Sequence, residues 1–379
     1  MRGKGFFMVR LSNIVGVMNE IAPRFLAMDW DNPGLQIGYF SQEINRVLVT
    51  LDVTEEVVEE AIEENCQLII SHHPLLFKGL KSIHDKSYNG RVVLKAIKNN
   101  IAVLSAHTNF DIVGSGINDY LSHLLGLSDI QPLKVTGEKP YIKLVVFIPE
   151  SHFDVVRKEI LDSGLAGFIG NYSHTSFSVK GEGTFKPLEG SNPFTGQKGH
   201  LARVEELRLE TIIPANNISK VIDIIKKVHP YEEVAYDLYP LNNTGEKYGL
   251  GRIGLLEKGI KLVDFVDIVK EKLGIRHIRY TGNYDNIVKR IAVCSGSGGD
   301  LIREARNKRA DLYITGDIKY HDAQLASELG LAVVDAGHYG TEKHVKSLLV
   351  GLLTDKFKEN GFKVGVCKSR INTNPWLYK

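Results

Sequence analysis

The stretch Leu68-Ile-Ile-Ser-His-His-Pro74 runs from a buried type of strand directly into two histidines and a proline. Apolar strands of the same kind are predicted on either side of it, at residues 46–52 and 101–105. Segments with helical periodicity, at 55–65 and 91–99, separate the three strands. Strands that alternate with helices form a parallel sheet covered by helices on both faces, so the sequence predicts an α/β fold.

Two segments precede these strands. Apolar residues at helical spacing predict a helix over residues 8–27. The stretch Asp29-Trp-Asp-Asn-Pro-Gly-Leu-Gln-Ile-Gly38 is rich in turn-forming residues and predicts a loop.

The second half of the chain repeats the plan of the first. Strands are predicted at 290–295, 311–315 and 331–335, with a helix at 300–308. A histidine and, four residues later, a carboxylate follow the third strand of each half, as His107-x-x-x-Asp111 and as His338-x-x-x-Glu342. We interpret this as an internal duplication that gives two facing βαβ-type halves. Chance similarity is the alternative, because buried strands resemble one another in composition.

The middle of the chain has a different pattern. Strands are predicted at 143–148, 204–212 and 234–241 and helices at 153–163 and 218–228. Together with the Gly-, Ser-, Thr- and Asn-rich stretch at 164–200, we interpret this as a β-α-β-β-α-β order. That order predicts a ferredoxin-like α+β fold. The flanking segments complete each other, so we expect one discontinuous α/β domain at 1–130 and 251–379, interrupted by an inserted domain at 131–250.

The composition excludes few function classes. The 379 residues include 47 basic and 45 acidic side chains, and this net charge of +2 gives no whole-chain argument for nucleic-acid binding. Three widely spaced cysteines form neither a disulfide framework nor a Cys-x-x-Cys zinc site. No apolar run approaches the ~18 residues of a membrane span. The basic start, Met1 to Phe7, lacks the apolar stretch of a signal peptide, so we expect a soluble, cytoplasmic protein.

Histidines and carboxylates follow several of the predicted strands. Chemistry in open α/β sheets gathers at the carboxyl ends of the strands, which places these side chains at one edge. The candidate metal ligands are His72, His73, Asp111, His338 and Glu342. For the His-His pair alone, one surface and one core histidine would be an equally good interpretation.

This ligand set indicates both the kind of metal and the number of ions. Three imidazoles and two carboxylates suit Zn, Mn, Fe, Co or Ni better than Mg or Ca. Five protein ligands exceed the three of a typical catalytic zinc site and are enough for two ions if one carboxylate bridges them. Two ions about 3.5–4 Å apart are a common hydrolytic arrangement. We therefore expect two divalent ions, with zinc the first choice.

Other polar residues at the strand ends are weaker candidates. The candidates for supporting catalysis or orienting the ligands are His107, Asp317, Lys319 and His321. A solvated loop with a helix cap explains the last three equally well. The candidate anion-binding groups are the backbone N–H groups of Ser295, Gly296, Ser297 and Gly298, and tight packing between strand and helix is the alternative.

Five motifs together resemble the GTP cyclohydrolase 1 type 2 homologue family, also called NIF-three-like after NGG-one-interacting factor three. They are Asp31-Asn-Pro-Gly-Leu-Gln-Ile-Gly38, Ser71-His-His-Pro74, His107-Thr-Asn-Phe-Asp111, Thr315-Gly-Asp317 and Gly337-His-Tyr-Gly-Thr-Glu342. The resemblance implies a di-metal centre in which His73 and Asp111 bind one ion, His72 and His338 bind the other, and Glu342 bridges them. It also implies a homohexameric ring whose metal sites face an internal cavity.

The inserted domain is similar to PII and CutA proteins, most clearly at His229-Pro-Tyr-Glu-Glu233. His229 and Glu232 are candidate metal ligands there, with a helix end followed by an edge strand as the alternative. The resemblance as a whole implies a metal-dependent hydrolase of a nucleotide or phosphorylated compound, similar to a GTP cyclohydrolase. The alternatives are a non-catalytic metal-binding scaffold with a PII-like sensing domain and, with little support from the charge, a nucleic-acid-binding ring.

Overall fold

The computed structural model describes residues 8–243 and 245–377. The basic N-terminal stretch to Phe7 lies outside the described residues. The chain divides into two compact units, Met1–Thr136 with Tyr248–Lys379, and Gly137–Lys247. Among the described residues, no helix combines the length and the hydropathy that crossing a bilayer requires.

The first part of the larger unit alternates strands and helices. Its strands are β1 (Gly34–Ile37), β2 (Arg46–Thr50), β3 (Leu68–Ser71), β4 (Ala102–Ser105) and β5 (Ser128–Glu138). Its helices are α1 (Leu11–Ile21), α2 (Glu55–Glu63), α3 (Tyr88–Lys98), α4 (Thr108–Ile112) and α5 (Ile117–Leu124).

The smaller unit has the predicted β-α-β-β-α-β order. Its elements are β6 (Tyr141–Pro149), α6 (Phe153–Asp162), β7 (Ser176–Phe185), β8 (Ala202–Pro214), α7 (Ile218–Val228) and β9 (Tyr236–Leu241). They form an antiparallel sheet in the order β7-β8-β6-β9, and apolar side chains from both helices cover one face of it. This strand order is that of a ferredoxin-like fold.

The last part completes the larger unit. Its strands are β10 (Lys247–Lys261), β11 (Arg279–Tyr280), β12 (Ile287–Ser297), β13 (Leu312–Gly316), β14 (Ala332–Asp335) and β15 (Gly365–Lys368). Its helices are α8 (Leu262–Leu273), α9 (Ile302–Asn307), α10 (Tyr320–Glu328), α11 (His338–Glu342) and α12 (Val345–Glu359).

The larger unit contains two sheets with parallel centres. One has the order β1-β4-β3-β2-β15 and the other the order β11-β14-β13-β12-β10-β5. One face of each sheet contributes to a shared core with α1, α5, α8 and α12. The opposite face of the first sheet packs on α2 and α3, and that of the second packs on α9 and α10. Helices therefore cover both faces of both sheets, as the alternating sequence predicts.

The two halves share close packing as well as strand order. Gly38 has φ +128°, and a Cβ there would lie 2.6 Å from the Ala102 side chain and 3.2 Å from Leu11. Gly282 has φ +107°, and its Cβ would lie 2.9 Å from the Ala332 side chain and 3.2 Å from Leu262. These glycines precede β2 and β12, and they pack against equivalent strands, β4 and β14. The same local constraint in both halves supports the internal duplication.

Two local predictions differ from the structure, and some helices were not predicted. The helix expected over 8–27 ends at Ile21, because Pro23 disfavours helical geometry in the residue before it. The turn-rich stretch up to Gly38 is not all loop, since Gly34–Ile37 forms the antiparallel edge strand β1 beside β4. Helix α5 was not predicted, because its eight residues follow Gly114-Ser-Gly116, which has the composition of a turn.

A buried arginine joins α4 and α5 to β10. Arg252 is 3% exposed, and its guanidinium donates two hydrogen bonds to Asp119 Oδ2 at 3.0 and 2.6 Å. Its remaining N–H groups donate to the carbonyls of Gly249, Gly251, Ile112 and Val113. The end of the short helix that carries Asp111 is thereby fixed to the second sheet.

We expect Arg252→Met to destabilise the protein by about 3–5 kcal/mol, because it leaves a half-buried carboxylate and four carbonyls without their donor. Lys261→Met is the control, since Lys261 pairs with Asp285 on the surface and its loss costs at most about 1 kcal/mol. Urea unfolding followed by circular dichroism measures both. Equal midpoints for the two variants would contradict the role given to Arg252.

Candidate metal centre

The two adjacent histidines at the end of β3 both have Nε2 available as a ligand atom. His72 is fully buried, and its Nδ1 donates to the carbonyl of Ala106 at 2.8 Å. His73 Nδ1 donates to Asp52 Oδ1 at 2.7 Å. Because an imidazole that donates from Nδ1 keeps its lone pair on Nε2, both rings offer Nε2 as a ligand atom.

The second half of the chain contributes α11. His338 at its start donates from Nδ1 to Asp317 Oδ2 at 2.7 Å, so its Nε2 is also free. Glu342, one turn later, is 3% exposed. Asp111 on α4 accepts a hydrogen bond from Ser295 Oγ at 3.0 Å through its Oδ1. All five predicted ligands therefore lie in one cluster.

The distances divide the cluster into two sets around Glu342. His72 Nε2 lies 3.6 Å from Asp111 Oδ1 and 3.7 Å from Glu342 Oε1. His73 Nε2 and His338 Nε2 lie 2.9 and 3.0 Å from Glu342 Oε2, and 3.3 Å from each other. These distances differ from the pairing implied by family resemblance, His73 with Asp111 and His72 with His338, and that pairing stays a prediction. His72 groups with Asp111, and His73 groups with His338.

Two buried ligand atoms have no hydrogen-bond partner within the described part of the chain. They are Nε2 of His72 and Oε2 of Glu342. Oε2 has two imidazole nitrogens nearby, but neither approaches it in hydrogen-bonding geometry. Buried polar atoms are almost always hydrogen-bonded, and an ion bound between such atoms is a standard reason for an exception. The residues present thus fit divalent metal ions: His73, His338 and Glu342 form one candidate ligand group.

His107 belongs to the cluster, whereas the sequence made it a weaker candidate. Its ligand nitrogen lies within 4.8 Å of those of His72 and His73. Its Nδ1 donates to Asp31 Oδ1 at 2.8 Å, and Thr108 N donates to the other oxygen of the same carboxylate at 3.0 Å. His107 therefore has the same arrangement as the other three histidines, with Nδ1 held from outside and Nε2 directed inward.

Charges within the cluster shift several pKa values. Burial favours the neutral form of Glu342, but the three imidazoles around its carboxylate hold the pKa of Glu342 well below its usual range. Burial of His73 lowers its pKa, but the neighbouring carboxylates of Asp52 and Glu342 outweigh this effect and raise the pKa of His73 to about 10. The carboxylates of Glu342 and Asp317 likewise raise the pKa of His338 to about 9, although the ring is largely buried. The imidazoles of His73 and His338 and the carboxylate of Glu342 therefore favour each other's charged forms.

The remaining strand-end candidates have unequal positions. Asp317 supports His338 and adopts a left-handed backbone, with φ +56°, a strained conformation typical of functional sites. Lys319 and His321 are exposed at the start of α10, where His321 pairs with Gln324 at 3.0 Å. Neither makes a hydrogen bond or ion pair with the cluster among the described residues.

The loop 295–298 is used for packing. Ser295 N donates to Asn118 Oδ1 and Gly296 N donates to Thr341 Oγ1, so two of the proposed anion-binding amides are occupied. A Cβ at Gly296 would lie 2.2 Å from Glu342 Oε1. Glycine is thus required for the close approach of Glu342. Ser297 is exposed, and the carbonyl of Gly298 accepts from Tyr313.

The two candidates in the smaller unit are also explained by local structure. His229 Nε2 donates to the carbonyl of Phe147 at 3.0 Å, and its Nδ1 accepts from Tyr231 N at 3.1 Å. Both carboxylate oxygens of Glu232 accept from Asn192 N. Neither imidazole nitrogen is left for a metal, so the alternative of a fixed helix end accounts for this pair.

Three supporting residues were missed from the sequence. Asp31 and Asp52 orient His107 and His73, and Thr373 Oγ1 donates to Asp52 Oδ2. Asp52 follows strand β2 at the same edge as the histidines, so its position was a usable signal. Thr373 is separated from Asp52 by 321 residues, and no local pattern indicates that contact.

A cleft of about 710 Å³ opens beside His338. Its wall includes the cationic side chains of Arg276, Arg279 and Lys343 and the aromatic side chain of Trp376. Arg279 is paired with Asp335, and Lys343 donates to the carbonyl of Gly274. The cleft gives solvent access to the candidate ligand His338, since 37% of the His338 side chain is exposed.

Known proteins are similar to this chain in sequence and in fold. The family model for Duf34/NIF3 (NGG1p interacting factor 3) matches residues 9–375. A GTP cyclohydrolase 1 type 2 homolog from Bacillus subtilis (strain 168) is 43% identical over 365 residues, which cover 96% of this chain and 97% of that protein.

Two solved structures show the same architecture. A Bacillus cereus protein related to NIF3 has a TM-score of 0.91 at 44% identity, covering 98% of this chain and all (100%) of that one. The Staphylococcus aureus protein SA1388 has a TM-score of 0.74 at 32% identity, covering 98% and 99% of the two chains. The chain belongs to the Duf34/NIF3 family.

Proposed function

We propose that the cluster binds two divalent metal ions, with zinc the first choice. His72 and Asp111 would hold one ion, His73 and His338 the other, and the two oxygens of Glu342 would bridge them. The observation that carries the proposal is the convergence of three Nε2 atoms on one buried carboxylate whose Oε2 has no hydrogen-bond partner. His107 is positioned to complete the site from the first half of the chain.

We further propose that the protein is a metal-dependent hydrolase of a nucleotide or related phosphorylated compound, similar to a GTP cyclohydrolase. Two bound ions would supply Lewis acidity and activate water near neutral pH. Asp317 holds His338 in place, so we assign it an orienting role rather than proton transfer. Arg276 and its cationic neighbours in the cleft are placed to bind the anionic part of the substrate. The name of the Bacillus subtilis relative supports the choice of GTP as the first substrate to test.

A second candidate is a non-catalytic metal-binding scaffold in which the smaller unit senses an effector. The ferredoxin-like order of that unit favours it, and we propose a likeness to PII and CutA proteins on the same basis. A nucleotide and phosphoester screen with and without chelator separates the two: activity lost on chelation and restored by one metal excludes a pure scaffold. Assembly into a homohexameric cytoplasmic ring, suggested by family resemblance, completes the proposal.

Replacing the bridging carboxylate tests the metal centre. We expect Glu342→Gln to reduce the metal content from two ions to fewer than one per chain and to lower any hydrolytic activity at least 100-fold, because a neutral amide cannot bridge two cations. Elemental analysis of the purified protein measures the content. Glu328→Gln changes an exposed glutamate on α10 and should retain both ions. Full metal content in Glu342→Gln would rule out the proposed bridge.

Thr373 tests the support behind His73. We expect Thr373→Val to weaken binding of the ion held by His73 and His338 about tenfold, because Asp52 loses the donor that fixes it against His73. Thr373→Ser keeps the hydroxyl and should restore the wild-type affinity. Competition with a chromophoric chelator gives both values. Equal weakening in the Ser variant would indicate a packing role instead.

Metal affinity should increase with pH. The pKa values of His73 and His338 are raised to about 10 and 9, so protons compete with the metal at neutral pH and the competition ends only above those values. Each displaced proton makes the apparent affinity rise about tenfold per pH unit. Chelator competition between about pH 6 and 8 measures the slope. An affinity independent of pH would show that the imidazoles are not the ligands.

A further inference from the structure

We infer that Trp30 and Phe77 form a stacking surface for a planar heteroaromatic ring, such as a purine base, beside the metal centre. We call these two residues the aromatic pair. The inference rests on the proposed function, in that it specifies which part of a nucleotide the site recognises.

The aromatic pair is large, exposed and adjacent to a candidate ligand. Trp30 is 58% exposed and Phe77 is 44% exposed, and their ring centroids lie 5.9 Å apart. Both rings contact His107 edge to face, at centroid distances of 6.1 and 6.2 Å. The pair thus leaves aromatic surface open to solvent while its inner side rests on His107.

Hydrogen bonds hold the two loops of the aromatic pair in place. Asn32, two residues after Trp30, donates to the carbonyl of Leu76 at 2.6 Å. Leu76 N in turn donates to Gln36 Oε1 at 2.6 Å. Asp31, next to Trp30, holds His107 and Thr108. A stacking platform fixed in this way loses little conformational entropy when a ligand binds.

The position of the aromatic pair suits a nucleotide. The ring of His107 lies 5.3 Å from that of His72 and 5.5 Å from that of His73, so a base stacked on the pair would lie next to both ligand sets. The cationic cleft lies beside His338, whose ring is 5.3 Å from that of His73. Aromatic side chains bind any base through its π-face, and anionic groups would be held by the cleft.

Tryptophan fluorescence provides a direct test, because the chain has only two tryptophans. In the full-length Trp376→Phe protein, Trp30 is the sole emitter. We expect saturable quenching by GMP and by guanosine and none by ribose 5-phosphate. Quenching by ribose 5-phosphate equal to that by GMP, or no saturable quenching by either purine probe, would overturn the inference.

Calorimetry with GMP tests the energetic contribution. Trp30→Ala and Phe77→Ala should each weaken binding by about 10- to 100-fold, whereas Tyr39→Ala, which removes an aromatic residue that is 75% exposed, should not change it. Unchanged affinity in Trp30→Ala would show that the pair binds no base. A change in the mass of the assembly in solution would show that the pair instead contacts another copy of the chain. Base-dependent binding without turnover would support the role of the aromatic pair and contradict the hydrolase activity. Turnover that is unaffected by Trp30→Ala would support the hydrolase activity and contradict the role of the aromatic pair.

Discussion

A buried carboxylate surrounded by imidazoles is the constraint on which the rest of this structure depends. Glu342 is almost inaccessible to solvent, and an isolated buried anion is too costly to persist without neutralisation. Three histidines surround it, and His73 and His338 are separated by 265 residues in the sequence. These groups are brought together by the two sheets, by the short helices after β4 and β14 and by the close packing at Gly296.

The duplicated halves have diverged in what they contribute. The first half provides His72 and His73 at a strand end, with Asp111 on the helix after β4. The second half provides Asp317 at the equivalent strand end, where it supports a ligand and is not one, and the ligands His338 and Glu342 on the helix after β14. A duplicated scaffold has therefore been specialised so that neither half holds a complete site. The proposed metal centre requires both.

Sequence patterns predicted the features that depend on local periodicity. The strand ends of the α/β unit, the order of elements in the smaller unit and the five converging side chains follow from apolar runs and the residues after them. Contacts that require the folded chain were not predictable in the same way. The grouping of His72 with Asp111 depends on ring orientation, set by Ala106 and Asp52, and the support from Thr373 comes from a distant tail. His229 is a residue type that binds metals, but both of its ring nitrogens make hydrogen bonds within the fold.

Anomalous scattering at metal absorption edges, measured on crystals of the protein as purified, tests the central claim most directly. Two peaks are expected, one between His72, Asp111 and Glu342 and the other between His73, His338 and Glu342, with the edge identifying the metal. A cluster without any anomalous peak, in crystals grown from metal-supplemented protein, would contradict the dinuclear centre. A single peak that does not contact Glu342 would do the same.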